Sequence, residues 1–523
     1  MLYASTSLGA EATGPPMHDL ITFSAVWERT LESNGDAVFL IFEQPNGTTA
    51  CWTYQQFDAA VTSAAAGLIQ RGVAPGDCVH LALTNTPAFV ALWIAACRLG
   101  AWVVPSDPMA KAPELANHIQ RTRPKAGFCA ANRADVYHQA AEGNSGMNIT
   151  ELDEASGSLE RLFGTARVDW PTVHLKDRAA VMFTSGTTGL PKGVEITQAN
   201  YAFCGQIMAE RTDLTPEDRQ LVVLPLFHAN AQYYSFASAI WAGASVALMP
   251  GFSASGFLSQ AARHRATCAS LFAAPMRMIL ARGARVEGLS LRHCWYAQNI
   301  ADDQYETLAS WFGCRPRQLY GMTETIPAVL TEPAEDPIPA SMGQVTPGCS
   351  VILRNGQVMV GGEPAISLFA GYLDAPEVTA ASFTDDGWFC TGDSARLDED
   401  GRYYFEGRNA DVLKVSGENV SVVEVEAVLA SHPAVLEAAV VGAPDPIRDE
   451  VPVAFVVPAD PTAAPTDVEL ASWCQERLGK AKLPRSFTLM SELPRTSVGK
   501  IRKFLLRHDT TNTNHVSAQA TRR

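Results

Sequence analysis

The sequence predicts an α/β protein in which a long strand-and-helix region is followed by a small α+β unit. Alternation is the first observation: CVHLAL from Cys78, a helical stretch over about 87–99 and AWVVP from Ala101 read strand, helix, strand, the order that gives a parallel sheet. Length is the second, because 523 residues exceed one hydrophobic core and suggest about three or four structural units. Composition is the third, since 47% hydrophobic residues support a large, well-buried globule.

Taken in order, a flexible start leads to two strands, 37–43 and 48–52, around the Asn46-Gly47 turn. Thr53 reads as a helix cap with Gln56 three residues on, and Phe57, Val61, Ala65, Leu68 and Ile69 share one face before Gly72 ends the helix. After the Cys78 to Pro105 alternation, AGFCA beyond Pro124 is a further strand, and AAVM before Phe183 is a short buried one. LVVLPLFH from Leu221 reads as a buried strand ending in His228, a residue equally at home as a core histidine or a site residue. SVALMP from Ser245 is another strand. Between residues 219 and 263 there is no Asp, Glu, Lys or Arg, yet Pro225, His228, Asn230, Gln232 and Gly243 interrupt the stretch, so it reads as buried helix and strand and not as a membrane span. RQLYGMTETI from Arg317 is a strand entering a Gly turn, and the segment 398–421 is a hairpin followed by a boundary at Ala410. The rest, through VEVEAVLASHPAV, AAVVG, VAFVVP and a helix at 469–478, is compact α+β, ending near Arg507 before a Thr, Asn and Ser-rich tail expected to be disordered.

Charge and cysteine usage exclude several classes. A formal net charge of -15 argues against nucleic acid or an anionic membrane as the main partner, so an anionic ligand must be met by local positive groups. Eleven cysteines without a C-x-x-C pair read as dispersed thiols, with neither disulfides nor a zinc site. The first Lys or Arg is Arg29, so no signal-peptide start is visible, and a cytoplasmic location is expected.

The stretch 183–193, FTSGTTGLPKG, carries the densest chemistry. Gly186, Gly189 and Gly193 let backbone N–H groups turn toward an anion, the hydroxyls of Thr184, Ser185, Thr187 and Thr188 add donors, and Lys192 supplies a mobile positive charge. It reads as a phosphate cradle, although Gly-Thr pairs alone more often make surface turns. It is not a Walker loop, because Pro191 stands where that motif has its second glycine and Gly193 follows the lysine. Three more segments stand out: YGMTET at 320–325, DDGWFCTGD at 385–393 and LPRTSVGKIRK at 493–503.

Together, and in this order, these four segments resemble the adenylate-forming superfamily of acyl- and aryl-CoA synthetases, luciferases and peptide-synthetase adenylation domains. YGMTETI, the SGENVSVVEVE segment and DPIRDE at 445–450 are similar to the crotonobetaine/carnitine-CoA ligase branch. The resemblance implies a large amino-terminal domain of stacked α/β subdomains plus a small β subdomain (1–409), a small mobile carboxy-terminal domain (410–507) and a tail (508–523). It implies an ATP-dependent acyl-CoA ligase whose cofactors are ATP (AMP), Mg²⁺ and coenzyme A, and whose partner is a small carboxylic acid or its acyl-AMP, with a homodimer allowed.

Residue by residue, the likeness implies that Tyr320, with Gly321 and Met322, lies near the adenine, that Thr323 bonds the α-phosphate and that Glu324 holds Mg²⁺. Asp393 would accept from both ribose hydroxyls, Arg408 would be a second ribose or phosphate contact, and Gly417 would belong to a loop near the nucleotide and CoA. Lys500 matches the mobile lysine that reaches the carboxylate and α-phosphate, and His228 matches a position bordering the acyl pocket. Two departures stand out: Gln298 and Asn299 occupy positions where relatives place small residues, and Ala410 stands at the hinge where Asp or Lys is usual. Three alternatives stay open: a protein performing only the thioesterification of a preformed acyl-AMP, an adenylation enzyme loading a carrier protein, and a non-catalytic nucleotide-binding module.

Overall fold

Capping and patterning set the first elements as expected. Thr53 and Gln56 form a reciprocal capping box on the helix Tyr54–Gln70, and Thr86 caps the helix Pro87–Arg98, whose first residue is the proline. All twelve residues of that second helix are buried, the signature of a helix enclosed on every side. The computed structural model describes residues 20–154, 159, 162–184, 191–408, 412–415, 418–445, 448–495, 501–503 and 505–506. Part of the start expected to be flexible is a helix, Phe23–Asn34, capped by Thr22 and holding Phe23, Val26 and Trp27 in the core.

The chain divides into two units. The first runs through Ile352 and again over Met359–Cys390, and its described residues contain two large sheets. One sheet is parallel through Val38–Glu43, Ser245–Leu248, Arg219–Val222, Cys268–Phe272, His293–Ala297 and Arg317–Tyr320. Antiparallel strands close its two edges, Thr49–Thr53 on one side and Leu330–Thr331 with Gln344–Val345 on the other. The other sheet is parallel through Asn148–Leu152, Ala126–Ala130, Cys78–Ala82, Trp102–Pro105 and Arg178–Thr184, and continues antiparallel into Lys192–Thr197 and Gly371–Tyr372. The expected α/β alternation is therefore present in both layers.

One expected strand is shorter than its apolar run. It ends at Val222, six residues before His228, because Pro225 removes a ladder donor and the chain turns there, with the His228 N–H bonded to the Pro225 carbonyl at 3.1 Å. The uncharged stretch beyond it forms the π-helix Ala231–Ala237 and the strand Ser245–Leu248, both buried, and between them the short helix Ser238–Ala242, buried over its first three residues. Among the described residues no helix is long and apolar enough to cross a membrane. All eleven cysteines are free.

The second unit comprises Leu353–Val358 and the chain from Thr391 onward. Its elements include the hairpin that ends in Tyr403–Arg408, a sheet of Val412–Val415, Glu418–Ser421, Val435–Asp445, Asp449–Pro458 and Phe487–Leu489, and the helices Val422–Ala430 and Asp467–Gln475. Leu413, Val420, Val425, Leu429, Val440, Val456, Leu470 and Cys474 form its core. This division by packing falls at Cys390/Thr391, ahead of the boundary expected at Ala410, because the hairpin strand groups with the helix Val422–Ala430: Ser421 Oγ donates to the Glu406 carbonyl at 2.9 Å. Ala410 itself, residues 1–19 of the start and the tail expected to be disordered lie outside the described residues.

Candidate active site

The strands Arg178–Thr184 and Lys192–Thr197 are paired so that Thr184 faces Lys192, which places both stems of the 183–193 loop at one sheet end. Ser185, Gly186, Thr187, Thr188 and Gly189 lie outside the described residues. Gly193 has a different reason from the one expected: it sits in the strand, where an added Cβ would come within 3.0 Å of Val181 and 3.1 Å of Leu373, so close packing and not a turn demands glycine. Thr184 Oγ1 reaches the Lys192 carbonyl at 3.5 Å.

Lys192 points its ammonium over the ring of Tyr372, 4.6 Å from the centroid. Tyr372 is the neighbour of Val194 on the adjoining strand, and its hydroxyl donates to Glu324 Oε1 at 3.0 Å. Burial and then the Glu324 carboxylate push the Tyr372 phenol well above its ordinary range, so it stays a neutral donor. Thus Lys192 and Glu324, 132 positions apart in sequence, are joined through one aromatic side chain. Nothing in the sequence singled out Tyr372, because the link exists only where a short edge strand adds to the sheet.

The YGMTET segment leaves the strand Arg317–Tyr320 at the carboxyl end of the parallel sheet. Tyr320 is buried there, and a Cβ on Gly321 would meet the backbone of Ala328 at 3.1 Å. Met322 donates its N–H to Thr325 Oγ1 at 2.8 Å, a closed turn that holds Thr323 half-exposed while Glu324 is 5% exposed. The Thr323 carbonyl accepts from the Tyr233 hydroxyl at 3.4 Å, which ties the π-helix to the motif. Thr325 was also missed by the motif reading, since its work is local turn closure.

Gln298 and Asn299 follow the strand His293–Ala297 and are exposed. Gln298 has φ +73°, a left-handed conformation that suits glycine, which gives a physical reason for small residues at this position. Buried Gln318 draws the pair together: its Nε2 donates to Asn299 Oδ1 at 3.0 Å and toward the Gln298 carbonyl at 3.3 Å. His228 packs edge-on against Phe272, 5.7 Å between ring centres, and its Nδ1 accepts from the Asn230 N–H at 3.3 Å.

A second group braces the loop stems. Arg121 donates to the Pro191 carbonyl at 2.7 Å and to the Leu373 carbonyl at 3.3 Å, with its guanidinium 5.0 Å from the Phe183 ring. One turn earlier on the helix Ala112–Thr122, His118 stacks on Phe183 at 4.0 Å and 8°. Behind it, Ser106 Oγ bridges His118 Nδ1 at 2.8 Å and His80 Nε2 at 3.0 Å, and His80 Nδ1 meets the Tyr137 hydroxyl at 2.7 Å. Burial holds the His80 imidazole down at about 3, with His118 adding to it; His118 is held at about 4 by burial and then by Arg121.

In the second unit, Asp393 and Arg408 stand opposite each other on the paired strands Phe389–Leu397 and Tyr403–Arg408. Arg408 Nε donates to Asp393 Oδ1 at 2.8 Å, and the carboxylate is 2% exposed. These two expected ribose contacts are therefore also partners of one another. Gly417 and Lys500 lie outside the described residues.

The donor set fits Mg²⁺ in one specific way. Among the described residues no three ligand-type side chains cluster; the Glu324 carboxylate is one buried donor, and Mg²⁺ commonly binds through one or two carboxylates together with substrate phosphates.

The parallel sheet with motifs at its strand ends, the lysine-bearing loop stem and the appended α+β unit define an AMP-forming acyl-CoA ligase. The chain belongs to the AMP-binding enzyme family: the model for AMP-binding enzymes matches residues 27–371, and that for the AMP-binding enzyme C-terminal domain matches residues 424–500. It is 30% identical over 503 residues to a crotonobetaine/carnitine–CoA ligase of Salmonella paratyphi A, covering 91% of this chain and 97% of that protein. Among solved structures it is similar to ATP-bound MatB from Rhodopseudomonas palustris, with a TM-score of 0.84 at 25% identity over 94% of this chain and 99% of that one. A benzoate CoA ligase from Burkholderia xenovorans LB400 superposes with a TM-score of 0.83 at 25% identity, over 93% of this chain and 100% of that chain.

Proposed function

We propose that this chain runs both half-reactions of a CoA ligase on a small carboxylic acid. A carboxylate oxygen attacks the α-phosphorus of ATP, the bond to pyrophosphate breaks, and the thiol of CoA then displaces AMP from the acyl carbon, its proton passing to solvent. The observation that carries this reading is the Lys192–Tyr372–Glu324 linkage, which gives one site a cation, a neutral phenol and a carboxylate at fixed spacing. Such chemistry needs positioning and charge neutralisation more than a protein nucleophile, because the carboxylate already attacks.

In this reading Lys192 and the loop residues Thr184 to Gly189 receive the phosphates, Thr323 bonds the α-phosphate, and Tyr320, Gly321 and Met322 flank the adenine. Asp393, steadied by Arg408, takes the ribose. Mg²⁺ held through Glu324 would neutralise phosphate charge. Lys500 serves adenylation only, and Gly417 serves the later step, with the small domain pivoting at Ala410 between them. His228, Gln298 and Asn299 border the acid. The eleven free thiols support a cytoplasmic setting.

The two half-reactions measured on Lys500→Ala test this. Acid-dependent pyrophosphate exchange should fall by at least about a hundredfold, the scale set by general positioning and charge effects, while thioester formation from supplied acyl-AMP persists. Equal loss of both removes Lys500 from its assigned step. Thioester formation from acyl-AMP alone, with no exchange by the parental chain, favours the thioesterification-only reading.

A further inference from the structure

In an open α/β sheet, ligands gather outside the carboxyl ends of the parallel strands. Here that edge is reached from Arg219–Val222 by His228 and Asn230, from Cys268–Phe272 by Phe272, and from His293–Ala297 by Gln298 and Asn299. Asn230 is 2% exposed, and neither its Oδ1 nor its Nδ2 has a hydrogen-bond partner among the described residues. Its buried neighbours show what a structural amide does. Gln232 donates to the Leu226 carbonyl at 2.6 Å and accepts from the Tyr201 hydroxyl; Asn85 donates to the Leu224 carbonyl at 3.0 Å and accepts from the Leu226 N–H at 2.8 Å. An amide buried with both ends unmade carries the full desolvation cost of each group, so its retention calls for something that answers it.

Two further features belong to the same side of the sheet. Ser270 Oγ, 4% exposed, also lacks a partner. Alternation sets Ser270 on the strand face away from Ala269 and Leu271, together with Cys268, whose neighbour Gln220 reaches Ser238 beside the π-helix at 3.5 Å; Phe272 ends the same strand, packed in the hydrophobic cluster with its ring meeting His228. Asn230 also directly precedes the π-helix Ala231–Ala237, an irregularity that recurs at functional sites, and Tyr233 of that helix bonds the carbonyl of Thr323 in the YGMTET turn.

We propose that Asn230, with Ser270 as a second contact, reads a neutral hydroxyl on the acid that this enzyme activates, so that its substrates are hydroxylated carboxylic acids and not plain hydrocarbon ones. The inference rests on the ligase reading above. A hydroxyl donates to Oδ1 and accepts from Nδ2, meeting both ends of the amide at once. Residues 220–262, which carry Asn230, contain no charged side chain to pair with a charged substituent there, and an unpaired buried charge is costly; Arg277, which donates to the Asn299 carbonyl at 3.4 Å, is the charge recorded at the next strand end. A bare hydrocarbon would leave the amide unmade, and sites built to bond a hydroxyl reject analogues without one far more strongly than apolar pockets reject size changes.

The test is acid-dependent pyrophosphate exchange with hexanoate and its 2- to 6-hydroxy derivatives, and with benzoate and its three monohydroxy derivatives. The parental enzyme should show a kcat/KM for at least one hydroxy acid roughly ten- to hundredfold above that of its parent acid, the worth of one or two hydrogen bonds. Asn230→Leu should erase that ratio, leave the KM for ATP unchanged, and melt at or above the parental temperature without ligands, since it removes an unmade amide. Ser270→Ala, which deletes one oxygen atom, should reduce the ratio by about threefold to tenfold. A lowered melting temperature in Asn230→Leu with the ratio preserved assigns the amide to a structural water and overturns the inference. Preference for the unsubstituted acids overturns it while the ligase reading stands; no exchange with any acid, and no thioester from their acyl-AMPs, overturns both.

Discussion

The Tyr372 hydroxyl donates to Glu324 Oε1 at 3.0 Å while the ring of the same residue lies 4.6 Å from Lys192 Nζ. Tyr372→Phe separates the two contacts, keeping the ring and deleting the bond to a buried carboxylate. Bonds to charged groups are worth about 1.5–3 kcal/mol, so pyrophosphate exchange should fall roughly ten- to hundredfold. Tyr372→Leu, which removes the ring as well, should fall further and raise the KM for ATP. Parental exchange rates in Tyr372→Phe would show that the phenol does not hold Glu324 in its working position.

Arg121 bridges Pro191 and Leu373 through two carbonyls, so it fixes the far stem of the loop to the strand end that carries Tyr372. Lysine cannot reproduce that fork. For Arg121→Lys, calorimetry should show ATP affinity lowered about tenfold, the worth of one lost bond of this kind, with AMP affinity retained because AMP lacks the outer phosphates the loop would receive. Equal weakening of both nucleotides points instead to a general loss of fold.

Asp393→Ala leaves the Arg408 guanidinium without the carboxylate it now bonds and removes the proposed ribose acceptor. ATP and AMP affinities should both fall roughly a hundredfold, since two charged hydrogen bonds are worth about 3 kcal/mol or more. Arg408→Ala should cost less, because its side chain is 44% exposed and its pairing is screened by water. Unchanged affinity in Asp393→Ala would remove that residue from the nucleotide site.

His80 and His118 are buried neutral, with folded values near 3 and 4 against an ordinary value of 6.5. Between pH 6.5 and about 4 the unfolded chain binds more protons than the folded one, so stability is full above 6.5 and is lost as pH falls through that window. Each imidazole contributes about 1.4 kcal/mol per pH unit there. Melting temperature should decline from pH 6.5 toward 4, and His118→Phe, which retains the stack on Phe183, should make the decline shallower. An unaltered slope in that variant would mean His118 is charged or solvated in the native protein.

How much of this was legible depended on range. The capping box at Thr53 and Gln56, the helix entered through Pro87 and the strand before Phe183 are local, set by hydrogen bonds and patterning within a few residues, and they stand as read. The run from Leu221 to His228 misled because an apolar stretch specifies burial without specifying extension, and Pro225 ended the strand early. The helix Phe23–Asn34 falls in the start expected to be flexible; its apolar face finds its partners in later elements, Trp27 on Phe39 and Tyr54 and Phe23 on Trp93 and Tyr201.

The sequence by itself determined the class of this protein, because phosphate-binding loops and turn motifs are contiguous strings whose residue types follow from the groups they must bond. Tertiary structure alone decided which residues complete those motifs. Tyr372 reaches Glu324 and Lys192 through strand addition at a sheet edge; Arg121 reaches the loop stem across a helix–sheet contact; and Asn230 is unmatched among the described residues where buried Gln232 and Asn85 are paired. Such relations join positions tens to hundreds of residues apart, and a chain fixes them only when burial of its apolar faces sets the layers in place.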